Sequence, residues 1–402
     1  MDLSYGEEYE IFRKQVRAFL SENWPPQGDD ATGTKEELRD RFRGRAIEAG
    51  YLARSVPKKY GGSEQSADVL RAAVIREEFR RVRAPLDVQG LGVGLLVPTL
   101  IERGEEWQRE EFIEPTIRGW IRWCQGYSEP GSGSDLASLQ TRAEIVGDEW
   151  VINGQKIWTS GAQFADYCFC LCRTEPEESK HAGISYLLIP MKQPGVEVSP
   201  LKQMTGAEGF NQVFFTDAKT PKDWIVGKRG EGWLVSRTTL KHERNGLLNV
   251  ESATAILPRL VDLARTRTRN GRPAIEDTEI RQRLAAIEGY MRSNQYSLFR
   301  RVSKAAKGQS GGPIDMMAKI CRSEINHMVS KLAYDLLEDD GLSAPSAAAA
   351  WVEGGRDASG WVSSFMGSLG GAIAAGSTNI QRNVIAERGY GLPRDAAAQR
   401  SK

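Results

Sequence analysis

The chain has 402 residues, 40% of them apolar and 27% charged, which gives room for two or three domains and is the balance of a folded protein. Its 54 Lys and Arg against 53 Asp and Glu leave a formal charge of +1, so no bulk attraction to nucleic acid or to an anionic membrane is expected. The opening residues lack a basic n-region and an apolar h-region, and no apolar run approaches membrane-spanning length, so the expected location is cytoplasmic, with no membrane insertion.

Residues from about 5 to 121 are predicted to be helical. Tyr9, Phe12, Val16, Phe19 and Leu20 recur at helical spacing, Leu38, Phe42, Ala46 and Leu52 make a weaker stripe, and Pro25-Pro26 closes the first helix. Val56 to Gly62 is a loop by its Pro and Gly content. A helical pattern returns from Ala67 to Arg81, and the nearly uncharged Leu91 to Leu100 predicts a helix buried all round.

Past Trp123 the period changes to alternation. Strands are expected over Thr141 to Val146, Trp150 to Trp158, Cys168 to Arg173, Ile184 to Met191, Val196 to Leu201 and Gln212 to Phe215, which together suggest a small β domain of roughly a hundred residues. Asn153-Gly154 lies between two apolar-rich runs and predicts a hairpin turn there, because both central positions of that turn favour positive φ. Of the five cysteines, Cys168, Cys170 and Cys172 alternate with Phe169 and Leu171, so their thiols should share one strand face as small apolar groups. His181, His242 and His327 show no ligand spacing with them, and no metal is expected.

From Gly232 the helical period resumes. Thr239, Leu240, Glu243 and Leu247 fall on one helical face, which puts a single carboxylate within an apolar stripe. Pro258 should kink or divide this helix, Asn270 to Pro273 reads as a polar loop, and further helices are expected over Glu279 to Ser303, over Pro313 to Leu337 and after Gly376.

Between the helical and the alternating parts lies Trp123-Cys-Gln-Gly-Tyr-Ser-Glu-Pro-Gly-Ser-Gly-Ser-Asp135, a Gly/Ser loop whose backbone N–H groups can come close to a phosphate, a flavin edge or an anionic thioester ligand. This loop, Asn153-Gly-Gln-Lys-Ile-Trp-Thr-Ser160 and the closing Ile380-Gln-Arg-Asn-Val-Ile-Ala-Glu-Arg388 with Gly391-Leu-Pro-Arg394 together resemble the acyl-CoA dehydrogenase family. The resemblance implies an α+β fold: an N-terminal helical domain (1–121), a central small β-barrel domain (122–228) and a C-terminal four-helix-bundle domain (229–402). It also implies FAD, an acyl-CoA substrate converted to a trans-2-enoyl-CoA, and electron transfer to an electron-transferring flavoprotein.

By the same resemblance Gln125, Tyr127 and Ser128 should lie along the isoalloxazine, with Trp158, Thr159 and Ser160 flanking it and Ser134 at the acyl-CoA. The family's best-known base position, a glutamate just before the last Gly-Thr, is here Ala375, followed by Gly376-Ser377. Isovaleryl- and long-chain-type members place the base in a Glu-Arg pair after the β domain, and Lys241-His-Glu-Arg244 stands there, making Glu243 the expected base. Arg244 follows it at about 100° around the helix and need not neutralise it. The backbone N–H at Ala375 or Gly376 is expected to polarise the thioester oxygen, as in the family.

Arg267 matches an arginine that reaches the FAD pyrophosphate of a neighbouring subunit, but Asn270 replaces the phenylalanine expected three residues later. Ser377 and Asn379 fall at cofactor positions, Asn379 where a glutamate is common. These departures resemble bacterial members acting on bulky acyl-CoAs, steroid side chains or ring fragments among them, some of which are heterotetramers of two related chains. A homo- or heterotetramer, or a dimer, is therefore expected. The alternatives are an acyl-CoA oxidase and a partner subunit that completes another chain's FAD site.

Overall fold

The computed structural model describes residues 6–246, 251–307, 309, 312–345 and 355–393. The chain forms two compact bodies, residues 1–199 with 212–243 and residues 200–211 with 244–402.

The first body begins with α1 (Glu7–Asn23), α2 (Lys35–Glu48) and α3 (Val69–Arg81), followed by α4 (Val97–Arg103) and α5 (Glu106–Arg118). In α1 the apolar residues Phe12, Val16 and Leu20 repeat every fourth position and are buried. Thr34 and Glu37 form a reciprocal capping box at the start of α2, and the Asp68 carboxylate accepts from the N–H of Leu70 and Arg71 at the start of α3. The segment expected as one buried helix over Leu91 to Leu100 is instead a π-helical turn, Gly92–Leu96, leading into α4. Two glycines in that turn weaken the α-helix, and Gly94 is exposed.

A charge buried deep among these helices is neutralised. Glu78 is 2% exposed and accepts from Arg13 (2.9 Å), Arg17 (2.9 Å) and Arg81 (2.8 Å). Burial alone would favour the protonated acid, but the hydrogen bonds from Arg17, Arg81 and Arg13 outweigh it and hold the carboxyl at about 2.

The β region supplies β1 (Trp123–Gly126), β2 (Arg142–Val146), β3 (Glu149–Ser160), β4 (Tyr167–Arg173), β5 (Ile184–Pro190), β6 (Val196–Leu201) and β7 (Phe210–Pro221), joined in one seven-stranded sheet. β4 is central: β1 and β2 run parallel to it on one edge, and β5 pairs antiparallel on the other. As the alternation predicts, Phe169 and Leu171 join the core shared with the helices, while Cys168, Cys170 and Cys172 pack with Cys124 in the core on the opposite face. Phe112 of α5 meets Trp123 edge-on at 5.2 Å between ring centroids, which seats the sheet on the helices.

Asn153-Gly154 is not a turn. β2 and β3 are joined at Gly147 (φ 64°) and Asp148, and Asn153-Gly154 runs through the middle of β3, Asn153 opposite Arg142. The Asn153 amide is satisfied across the sheet: its Nδ2 donates to Asp217 Oδ1 and its Oδ1 accepts from Asp217 N, each at 2.9 Å. Gly154 is needed for close approach, since a Cβ there would lie 2.6 Å from the Thr141 Cα. The Asn-Gly hairpin of this chain is Asn270-Gly271, expected as a loop. With φ of 53° and 76° it joins β8 (Thr268–Arg269) to β9 (Arg272–Pro273).

After β7 comes α6 (Gly232–Gly246), whose residues through Glu243 belong to the first body. The second body contains α7 (Glu251–Thr266), α8 (Thr278–Ala306), α9 (Pro313–Leu337), α10 (Ala358–Gly371) and α11 (Thr378–Val384). Pro258 does not divide its helix but sits inside α7. Leu260, Ile287, Val329, Leu332 and Trp361 form the core of α7 to α10. Serines stud the α9–α10 contact, where Ser330 and Ser364 bond at 2.8 Å and His327 Nδ1 meets Ser368 at 3.0 Å. No helix among the described residues is long and apolar enough to cross a membrane.

Glu78→Gln is expected to lower stability at pH 7 by about 3 kcal/mol, measured by urea unfolding. Because the folded Glu78 carboxyl lies below its ordinary 4.5, its contribution is present above that pH and is lost as pH falls towards about 2. The gap between wild type and variant should therefore narrow over that window.

Candidate active site

β1 ends opposite Cys170 and β2 begins opposite Arg173, so the Gly/Ser loop fills the gap between two strands lying end to end along one edge of β4. A tight turn shapes it: Glu129 N donates to Ser132 O (2.8 Å) and Ser132 N to Glu129 O (3.0 Å). Ser132 Oγ donates back to Asp135 O at 2.9 Å. A Cβ on Gly131 or Gly133 would meet nothing within 4 Å, so open space borders the loop there. At Gly126 it would meet the Cys168 and Cys170 sulfurs, each at 2.9 Å, and glycine is required by packing.

The loop is tied to β3 from beneath. Lys156, fully buried, donates to Glu129 Oε1 at 2.8 Å and to Tyr127 O at 3.2 Å. Glu129, 7% exposed, also accepts from the N–H of Gln140 (2.6 Å) and Thr141 (2.9 Å). Burial works against the Glu129 carboxylate, but the Lys156 charge and these donors outweigh it and hold its pKa below the ordinary glutamate value. One residue on, Ile157 N donates to Ser128 O at 2.8 Å. The two motif stretches, 125–128 and 158–160, are thereby fastened together.

Within this frame Gln125 is half-buried and its Nε2 is buried with no hydrogen-bond partner, a donor left for a ligand acceptor. Tyr127 is buried, Ser128 half-buried, and Ser134 exposed on the loop. Trp158 is 57% exposed with a positive φ of 60°, beside fully buried Thr159 and half-buried Ser160. A buried amide donor, an exposed aromatic plane and hydroxyls, on two stretches bonded to each other, suit a flavin ring, which offers a flat π-face and carbonyl and ring-nitrogen acceptors.

Glu243 lies at the C-terminal end of α6 and is the last residue of the first body; Arg244 opens the next segment of the second. The side chains of Glu243 and Arg244 fall outside the described residues, as does Leu247 entirely. In the second body Arg267 Nη1 pairs with Asp340. Ala375 and Gly376, both exposed, take positive φ of 53° and 80°. Ser377 caps α11 by accepting from Ile380 N at 3.3 Å, and Asn379 Oδ1 accepts from Arg382 at 3.4 Å. Among the described residues no cluster of His, Cys, Asp and Glu could hold a metal. Glu129 and Lys156 stand within the quoted motifs without having been expected as working residues. A carboxylate and an ammonium each set within short, otherwise uncharged stretches were the available signal.

Three family models match in order: Acyl-CoA dehydrogenase, N-terminal domain over 6–120, middle domain over 124–218 and C-terminal domain over 230–390. The chain is 39% identical over 402 residues to acyl-CoA dehydrogenase IpdE1 of Mycobacterium tuberculosis, covering 97% of this chain and 99% of that protein. Among solved structures, the Tcur3481-Tcur3483 steroid ACAD matches with a TM-score of 0.76 and 27% identity over 98% of this chain and all of its own (100%). The ChsE4-ChsE5 complex from Mycobacterium tuberculosis matches at 0.75 and 26%, with the same coverage. The chain belongs to the acyl-CoA dehydrogenase family, whose members are oxidoreductases and generally FAD flavoproteins.

Lys156→Met strands Glu129 as a buried charge and is expected to cost about 3–5 kcal/mol in urea unfolding. Adding Glu129→Gln to it should recover part of that loss, since the charge left alone is then gone.

Proposed function

We propose that this chain is an FAD-dependent dehydrogenase that converts an acyl-CoA thioester to the trans-2-enoyl-CoA, with Glu243 as the base that removes the α-proton. FAD, when bound, supplies the acceptor for the β-hydride at flavin N5. Gln125 and Ser128 would hold the isoalloxazine by hydrogen bonds, with Tyr127, Trp158, Thr159 and Ser160 completing that wall and Ser134 meeting the acyl-CoA. The observation that carries this reading is the fastening of both wall stretches in one body, with the Gln125 Nε2 donor left open.

Glu243 would draw the α-proton onto its carboxylate while the backbone N–H at Ala375 or Gly376 polarises the thioester carbonyl, which makes that proton acidic. The positive φ at both residues supports a backbone turned for donation. Arg244 would face the substrate, and Arg267, Ser377 and Asn379 are assigned to the cofactor, Arg267 to that of a neighbouring subunit. The domains of this reading are 1–121, 122–228 and 229–402.

We assign a bulky acyl group, of steroid type, to the substrate: the matched steroid ACAD supports this, and so does alanine in place of a glutamate at 375. The paired chains of the two matched complexes support a heteromeric assembly with a related chain, in which the chain holding Glu243 is the base-carrying partner. Electrons would leave to an electron-transferring flavoprotein in the cytoplasm.

Anaerobic addition of short, long, branched and steroid acyl-CoAs to the purified yellow protein should bleach the flavin with at least one of them. Bleaching by none, with FAD retained, would leave the chain as a partner subunit, and rapid peroxide formation in air would make it an oxidase. Glu243→Gln should keep FAD and slow bleaching by at least about 100-fold; unaltered bleaching refutes the base. Gln125→Leu should weaken FAD retention by roughly 10-fold, read by ultrafiltration and flavin absorbance.

A further inference from the structure

In the residues just before Glu243, Thr238, Thr239, Lys241 and His242 of α6 all reach side chains of α4. Arg103 Nε donates to Thr238 Oγ1 at 3.3 Å. Thr239 Oγ1 meets Thr99 Oγ1 at 3.0 Å, and both residues are 0% exposed. His242 Nε2 lies 2.7 Å from Glu102 Oε1, and Lys241 Nζ lies 3.4 Å from the same oxygen. From the other side Thr239 Oγ1 reaches Tyr186 Oη at 3.4 Å, and the buried ring of Tyr186 meets that of Tyr127 edge-on, 6.3 Å between centroids. Buried hydroxyls thus link α4 through α6 to Tyr186 of β5, whose ring packs on Tyr127 of the Gly/Ser loop.

Stability alone does not call for this linkage. Valine fills the volume of threonine, and replacing both members of a buried hydroxyl pair with apolar groups of equal shape is close to neutral. A directional bond does what apolar packing cannot, which is to set the rotation of a helix about its axis. Thr239 stands one turn before Glu243 on the same helical face. A rotation of roughly 20° would carry a side-chain tip at that turn by roughly 2 Å, and a misplacement of about 1 Å can cost about 100-fold in rate.

We propose that Thr99, through Thr239, and Glu102, through His242, are positioning residues that set the orientation of Glu243, so that α4 aligns the base with the wall formed by the Gly/Ser loop. This rests on the reading of Glu243 as the base. None of the four needs to touch substrate.

The test uses the FAD-loaded protein and acetoacetyl-CoA, a thioester whose acidic α-proton can be taken without any oxidation, so that binding and deprotonation are read separately by ultraviolet absorbance. Wild type should bind the probe and form its enolate, and Glu243→Gln should bind it without doing so. In the Thr99→Val/Thr239→Val variant the dissociation constant should stay within about 2-fold while the enolate forms at least about 10-fold more slowly. Thr99→Ser/Thr239→Ser, which keeps the hydroxyls, should restore the rate. Glu102→Ala, at a partly exposed site that tolerates truncation, should slow the enolate by about 3-fold with an unchanged melting temperature, and it carries the test if the valine pair does not fold. Wild-type rates in both the valine pair and Glu102→Ala, with Glu243→Gln inert, overturn the positioning role alone. Enolate formation by Glu243→Gln overturns the base and the positioning role together.

Discussion

A lysine with no solvent exposure bonded to an almost equally buried glutamate is the constraint on which the candidate site depends. Taking both charges out of water is costly, and the arrangement holds because Lys156 also donates to Tyr127 O and Glu129 also accepts two backbone N–H groups. Each added bond leads to the same loop. The pair therefore fixes the turn at Glu129–Ser132, the height of Tyr127 and Ser128 above the sheet, and the spacing between this loop and the end of β3. Without it, a glycine- and serine-rich segment spanning a break in a sheet edge would have many conformations of similar energy.

The helix bearing the candidate base illustrates how little family domains and compact bodies need coincide. The C-terminal family match begins at residue 230, yet α6 through Glu243 associates with the sheet and the N-terminal helices, and the boundary between bodies follows that residue directly. Val235 of α6 lies in the core of the first body with Trp233 and Leu240 packed against it, and the polar contacts to α4 and Tyr186 add direction to that attachment. Glu243 therefore belongs to the same body as the Gly/Ser loop.

Much was legible because its cause is local. Alternating cysteines marked β4 and its two faces, a period-four stripe marked α1, and the Gly/Ser motif marked the loop between strands. Two similar signals were misplaced for one reason. Asn-Gly favours a hairpin wherever the neighbouring strands can pair across it; at 153–154 the chain stays extended because Asn153 bonds Asp217 and Gly154 must clear Thr141, whereas at 270–271 nothing competes and the hairpin forms. Pro258 was expected to kink or divide its helix, and α7 is not divided there.

The sequence by itself determined the family, the order of helical, β and helical regions, and which residue types stand at the motif positions, because these follow from patterns within a few dozen residues of chain. Only the tertiary structure decided that Glu129 and Lys156 meet beneath the loop, that Gln125 keeps an unpartnered donor, and that Thr99 bonds a threonine 140 positions away. Those are pairings between residues whose separation in sequence carries no information about their distance in space. Buried polar groups must nevertheless find partners, and the fold chose which.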